Sequence, residues 1–370
     1  TKNGEQTNAV YGFTLILLKA IADIKPTHIA CTFDLAGPTF RHEQYKEYKA
    51  TRVKADQELY DQIPRVKEVV AALNIPIFEK QGYEADDCLG TLSQHLHQKD
   101  SQAEVIIVTG DMDTLQLVNH VIKVYTLRKG LTDVVIYDAK AVRQRFGFGP
   151  EQMVDYKALR GDPSDNIPGV TGIGEKTASE LIKHFGSLDK LYDKLHQEAK
   201  KIEVKFPISN FQFPNNFKIS NFKTRVLNLL IGQEEQARMS YKLATIDRQV
   251  PLKIEVPAYD FDAAHQQATV KLFQELEFRS LLNKLPKQEL GGKSQESRSQ
   301  TTGEALAAPD GASAAAARQD IGRQDYQFID TEENLKTALN KLSTAGEITV
   351  DTETTSLNSI DAKLVGLGLS

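Results

Sequence analysis

The chain has 370 residues, with 45 Lys and Arg against 50 Asp and Glu, a formal net charge of −5, and 40% hydrophobic residues. This is the usage of a folded globular protein and excludes collagen-like, disulfide-scaffold and wholly disordered classes. The length exceeds what one core usually serves, so one large domain with additions, or two domains, is expected. The longest apolar run, around Phe13–Leu18, is too short to span a bilayer and no signal-peptide pattern is visible, which predicts a cytoplasmic protein without a membrane role. Cys31 and Cys88 have no second cysteine at metal-binding spacing and read as buried thiols in a reducing compartment.

In chain order, apolar spacing predicts a helix over 9–24, a short buried strand over 27–33 (THIACTF), amphipathic helices over 58–73 and 84–96, and a clear buried strand over 104–109 (EVIIVT). Strands alternating with helices imply an α/β subdomain over 1–137, with a mostly parallel sheet, flanking helices and ligands at the C-terminal strand ends. From 138 to 284 the pattern is helical, with a Gly-rich interruption, GDPSDNIPGVTGIGEKTA. Within it, ISNF occurs at 208–211 and again at 219–222, so 202–224 reads as a duplicated low-complexity insertion in a loop, with a hairpin as the alternative. Residues 285–325 are poor in large apolar side chains and read as a flexible linker. Beyond it, strands at 326–329, 347–350 and 364–369 and a helix over 332–342 read as the start of a second, incomplete α/β domain.

The acids carry the chemistry. Asp34 follows the first strand, Asp111 and Asp113 follow the EVIIVT strand, and Glu84, Asp86 and Asp87 open a helix in GYEADD. One carboxylate at a helix start can be a simple cap, but six on one sheet edge repel and call for cations. Oxygen-only ligands favour Mg²⁺ or Mn²⁺. Asp162 and Asp165 in GDPSDN extend the set, and two divalent ions are the usual device for phosphodiester hydrolysis.

Two further segments suit a polyanion. Gly169, Gly172 and Gly174 allow tight backbone approach, and Lys176 and Thr177 open a helix whose positive end suits a phosphate. Residues 40–54, FRHEQYKEYKATRVK, interleave Arg41, Lys46, Lys49, Arg52 and Lys54 with Tyr45 and Tyr48, so cations can meet phosphates and an aromatic can stack on a base.

Taken together, TFDLAGPTFRHEQYKEYKATR, GYEADD, TGDMDTLQL and LRGDPSDNIPGVTGIGEKTA resemble, in order and spacing, the PIN-like 5′ nuclease domains of the bacterial DNA polymerase I family, within the flap endonuclease superfamily. The resemblance implies that Asp34, Glu84, Asp86, Asp87, Asp111, Asp113, Asp162 and Asp165 surround the metals. It also implies that Lys49 and Arg52 engage the scissile phosphate, and that Gly172 to Thr177, including Gly174 and Lys176, form a helix-three-turn-helix that grips duplex DNA, commonly through K⁺, with Arg41 and Tyr45 as further DNA contacts. The expected activity is 5′-3′ exonuclease and flap endonuclease cleavage of branched, nicked or flapped DNA and RNA–DNA hybrids, by a monomer. After the linker, VDTETTSLNSIDAKLVGLGLS resembles the first motif of a 3′-5′ proofreading domain, with Asp351 and Glu353 as metal ligands. The family pattern opens with a strand ending in a further metal-binding aspartate. This chain starts after it, which leaves a DNA-binding module without catalysis as the rival expectation; an unrelated Mg²⁺ phosphatase on a similar sheet would not explain GVTGIGEKTA. The insertion at 202–224 is foreign to the family pattern.

Overall fold

The computed structural model describes residues 1–2, 4–100, 102–127, 133–202, 211–286, 350–354 and 364–369. Two compact units, residues 1–293 and 294–370, make up the chain. The expected linker beyond 286 and the elements expected between 326 and 349 lie outside the described residues.

In the first unit, helix α1 (Asn8–Ile24) buries Val10, Thr14, Leu18 and Ile21, the three-to-four spacing expected of one helical face. It ends at Lys25, in the left-handed region ahead of Pro26. The helix expected over 58–73 is two: α3 (Gln57–Tyr60) and α4 (Ile63–Ala72), following the short α2 (Phe40–Gln44). Pro64 is the reason, because it has no N–H to donate and is tolerated only in a helix's first turn.

The strand expected over 27–33 narrows to β1 (Cys31–Thr32), which pairs in parallel with β2 (Ile77–Phe78). After α5 (Ala85–Lys99), β3 (Val105–Val108) pairs in parallel with β4 (Ile122–Leu127), and β4 pairs antiparallel with β5 (Val134–Tyr137). The sheet is thus mostly parallel, but among the described residues it forms two hydrogen-bonded groups, β1–β2 and β3–β4–β5, both packed on α5. Strands β2, β4 and β5 have no counterpart in the sequence reading. The connection between β4 and β5 is too short for a crossover helix, so they run antiparallel.

The helical part comprises α6 (Ala139–Phe146), α7 (Met153–Arg160), α8 (Glu175–Phe185), α9 (Leu188–Lys201), α10 (Thr224–Gly232) and α11 (Glu234–Ala244). Its core is continuous with that of β3 and β4, from Ile107 to Ile246. The next helices, α12 (Ala263–Glu275) and α13 (Arg279–Leu282), lie elsewhere: Phe273, Phe278 and Leu281 share a core with Val10, Val69 and Leu73 of α1 and the α4 region. The segment after 258 therefore packs with the amino-terminal helices and not with α7–α11.

Of the duplicated insertion, the second ISNF is a hairpin. Strand β6 (Lys218–Ile219) pairs antiparallel with β7 (Phe222–Lys223), and Ile219, Phe222 and Phe213 are buried. The first copy lies largely outside the described residues. In the second unit, β8 (Val350–Thr354) pairs antiparallel with β9 (Leu364–Leu369), Asp351 standing opposite Gly368 and Glu353 opposite Gly366. Among the described residues no helix is long and apolar enough to cross a membrane.

The loop that carries Asp162 and Asp165 closes on itself: Asp162 N–H donates to Ile167 O at 2.8 Å and Ile167 N–H to Asp162 O at 2.9 Å. Gly169, at φ 62°, then crosses Gly161 so closely that a Cβ on it would lie 2.2 Å from Gly161 N. Backbone cannot yield there as a flexible side chain would, so Gly169→Ala is expected to destabilise the protein by about 2 kcal/mol or more. Urea denaturation checks this; an unchanged midpoint would contradict the close crossing.

Candidate active site

Asp86 is the hub of the acids. It sits in the first turn of α5, and burial, then Asp111, Asp113, Asp34 and Glu84 in that order, push its carboxyl up to about 7. Asp34, beyond β1, accepts the Ala85 N–H at 2.7 Å, which brings the end of the first sheet to the start of α5. Asp111, beyond β3, accepts the Asp113 N–H at 2.8 Å. Burial raises Asp113 to about 6, against the pull of Lys157. The strand ends and one helix start thus converge, as the α/β pattern predicts.

The helical part adds the other acids through cations. Lys157 of α7, almost wholly buried, is ion-paired with Asp113 and, at 2.7 Å, with Asp162. Burial works to raise Asp162, but hydrogen bonds from Lys157 and Ser164 prevail and hold it at about 2. Lys49, in the left-handed region at φ 56°, donates its N–H to Asp165 O at 2.9 Å and sets its ammonium 2.6 Å from Glu84. Arg52 reaches Asp165 at 2.5 Å. The Tyr48 hydroxyl lies 3.1 Å from Glu84 and 3.0 Å from Asp165, bridging the two; burial, then Glu84 and Asp165, push its pKa well above the ordinary phenol value. Among the described residues, no three acids, histidines or cysteines form a ready metal-coordinating group.

Two expected site residues point elsewhere. Asp87 is fully buried and Arg41 is 3% exposed. They form a bidentate pair at 2.8 and 2.7 Å. Arg41 also donates to Leu243 O at 2.9 Å and Thr245 O at 2.7 Å. The Glu84 N–H at 3.0 Å and the Asp247 N–H at 2.8 Å donate to Asp87. Both side chains lie inside and join α2, α5 and the end of α11, with Arg41 also 3.5 Å from Glu84, so the expectation of Arg41 as a DNA contact and Asp87 as a metal ligand has no exposed group behind it. Tyr48, expected as a stacking platform, is buried at 3% exposure, while Tyr45 is half-buried with its hydroxyl on Glu47.

The glycine turn is held from behind. Val170 and Ile173 are buried, Thr171 N–H donates to Gln233 at 2.8 Å, and Gln236 donates to Gly169 O at 2.7 Å. This leaves Gly172, Gly174 and Lys176 exposed, with Thr177 half-buried at the start of α8. Asp351 and Glu353 belong to β8 of the second unit. Cys88 is buried and Cys31 half-buried; burial raises their thiols to about 11 and about 12.

Lys157, the Arg41–Asp87 pair and Gln116, which bonds to both Ala244 O and Ile246 N–H, were missed in the sequence. Lys157 left one signal in the sequence, its place five positions before Asp162 of GDPSDN.

Oxygen donors crowded around a carboxyl that resists ionisation fit a divalent cation, which would remove the repulsion. Two predictions follow from this balance. In protein stripped with a chelator, stability falls as pH rises from about 4 to about 7, because folded Asp86 holds its proton to about 7 whereas the unfolded chain loses it near 3.8. Asp86→Asn or added Mg²⁺ flattens this window in a pH series of thermal melts; identical profiles for variant and wild type would rule the assignment out. Second, Arg41→Met costs about 3–5 kcal/mol by stranding a buried carboxylate. In a double-mutant cycle with Asp87→Leu, the coupling measured by urea denaturation is about 2 kcal/mol.

Comparison with known proteins identifies the family. Residues 1–147 match the family model of the 5′-3′ exonuclease N-terminal resolvase-like domain, and residues 148–267 that of the 5′-3′ exonuclease C-terminal SAM fold. DNA polymerase I of Chloroflexus aurantiacus is 41% identical over 292 residues, 77% of this chain and 28% of that protein. The Bacillus subtilis protein of the same name is 39% identical over 283 residues, 76% of this chain and 29% of its own length. The chain therefore spans less than a third of the relatives it matches. Among solved structures, T5 5′-exonuclease with bound zinc superposes with a TM-score of 0.52 at 17% identity, covering 74% of this chain and 93% of that one. The chain belongs to the 5′-3′ exonuclease family, its first 267 residues carrying both halves of the nuclease domain found in bacterial DNA polymerase I.

Proposed function

We propose that the first unit is a divalent-metal-dependent 5′ nuclease acting on 5′ flaps, nicks and RNA–DNA hybrids as a monomer, in replication and repair. The observation that carries this reading is the Asp86 hub, where strand ends and a helix start bring four further acids around one carboxyl that burial, and then those acids, raise to about 7. Asp34, Glu84, Asp86, Asp111, Asp113, Asp162 and Asp165 would hold Mg²⁺ or Mn²⁺, while Asp87 stays with Arg41. Bound divalent ions supply an activated water and stabilise the leaving oxygen. Lys49 and Arg52, ion-paired with Glu84 and Asp165, are the cations within reach of a phosphate brought to those acids. Lys157 holds Asp113 and Asp162 together, favouring the ionised form of Asp162 and opposing the rise that burial imposes on Asp113. The Gly172–Thr177 turn offers backbone N–H groups and Lys176 to the duplex, with K⁺ as a bridging ion. A T5 flap endonuclease structure containing DNA and metal ions, with a TM-score of 0.51, supports this use of the fold. Asp351 and Glu353 of the second unit are proposed as metal ligands of a 3′-5′ exonuclease site.

A second reading rests on two observations: Glu84, Asp113, Asp162 and Asp165 are held by lysine and arginine, and among the described residues no group of three stands ready for a metal. On that reading the chain grips branched DNA without cutting it. A labelled 5′-flap duplex with Mg²⁺ or Mn²⁺ separates the two. Metal-dependent cleavage supports the nuclease, a mobility shift without cleavage supports the binder, and neither binding nor cleavage sinks both. In the first case Lys49→Ala lowers kcat by about 100-fold with little change in Kd.

A further inference from the structure

We propose that the hairpin segment from Phe211 to Arg225 is an additional contact for the phosphate backbone of duplex DNA, at the opposite end of α8 from the glycine turn. The proposal rests on the DNA-binding reading above and extends it to a segment that the family pattern does not explain.

In a chain of net charge −5, no Asp or Glu occurs from residue 204 to 233. In the described part of that stretch, Lys218, Lys223 and Arg225 are all exposed. Lys218 and Lys223 are direct cross-strand partners in the hairpin, while the neighbouring pair, Ile219 and Phe222, is buried. Like charges placed opposite one another across a strand pair cost stability. Among the described residues no carboxylate pairs with either lysine or with Arg225; the nearby basic residues Lys194, Lys201 and Arg238 each have one. Two facing ammonium groups without a counter-charge form a ready seat for an anion.

Location selects the anion. Phe222 packs on His184 and Phe185, with ring centroids 5.7 Å apart in both cases, so the hairpin abuts the C-terminal end of α8. The glycine turn opens the other end of the same helix, and Leu229 of α10 packs beneath Gly172, 3.0 Å from where a Cβ would stand. Eleven helical residues span about 16 Å, at about 1.5 Å each. That distance is roughly five phosphate steps along one strand of B-DNA. A duplex seated on the turn would therefore run within reach of the hairpin. Its rings do not face out to stack on unpaired bases: Phe213 is buried and stacked on Phe217 at 4.6 Å. The outward groups are cations and the amides of Asn215, Asn216 and Asn221, which suit phosphate oxygens.

The test compares the whole chain with its Lys218→Ala/Lys223→Ala/Arg225→Ala variant, titrating a 5′-flap duplex across a salt series. Loss of two or three phosphate contacts lowers the slope of log affinity against log salt by about 2 to 3, and single-turnover cleavage at saturating DNA stays unchanged. The variant's melting temperature is equal or higher, since a repulsive pair is gone, and the charge-preserving Lys218→Arg/Lys223→Arg variant keeps the wild-type slope. If the wild type binds and the folded alanine variant binds with the same affinity and slope, the hairpin contact is wrong. If the wild type fails to bind any duplex, the DNA-binding reading itself fails.

Discussion

Carboxylates brought to one rim of a sheet must be neutralised or they drive the rim apart, and the packing of the first unit follows from how this is done. Asp86 and Asp87, neighbours in α5, meet the constraint in opposite ways. A step of one residue turns a helical side chain by about 100°, so Asp86 faces the other acids and resists ionisation, whereas Asp87 faces inward and is matched by Arg41 with two parallel hydrogen bonds. Lys49, Arg52 and Lys157 neutralise Glu84, Asp165, Asp113 and Asp162 from loops and a helix that are remote in sequence.

These cations also set the register between the two halves of the nuclease domain. Arg41 and Asp87 together take up backbone groups of Leu243, Thr245 and Asp247, and Gln116 takes those of Ala244 and Ile246. The end of α11 is thereby tied to the start of α5 and to the turn after β3. From α11, Ser240 accepts the Gly169 N–H at 3.0 Å, which fixes the loop holding Asp162 and Asp165. Breaking the buried pair would loosen the helical half from the acid rim, so a substitution inside the protein can disturb how the acids are arranged.

The apolar cores support this arrangement. One runs without interruption from β3 through the helical part, so the rim and the glycine turn stand on a common base. The other closes the amino-terminal helices with α12 and α13, so the chain returns to its beginning after building the helical part. The insertion joins the first core through Phe213, Ile219 and Phe222, leaving its basic face outward.

Local sequence was enough for the parts governed by local rules. Helices α1, α5, α6, α7 and α8 follow from apolar periodicity, the acid positions follow from strand ends and a helix start, and the glycine turn follows from its need for positive φ. The motifs' resemblance to the family agrees with the family models that match residues 1–147 and 148–267. Tertiary structure decided what depends on partners distant in the chain. Strands of two to six residues such as β2 and β4 are too short to announce themselves and exist because a neighbouring strand satisfies their backbone groups. Whether an acid or a base serves chemistry or holds the core depends on which way it faces. Arg41 and Asp87 read as site residues from their motifs, and Lys157 drew no reading, because charge and spacing are visible in the sequence while burial and pairing are set only when residues some 40 to 200 positions apart are packed together.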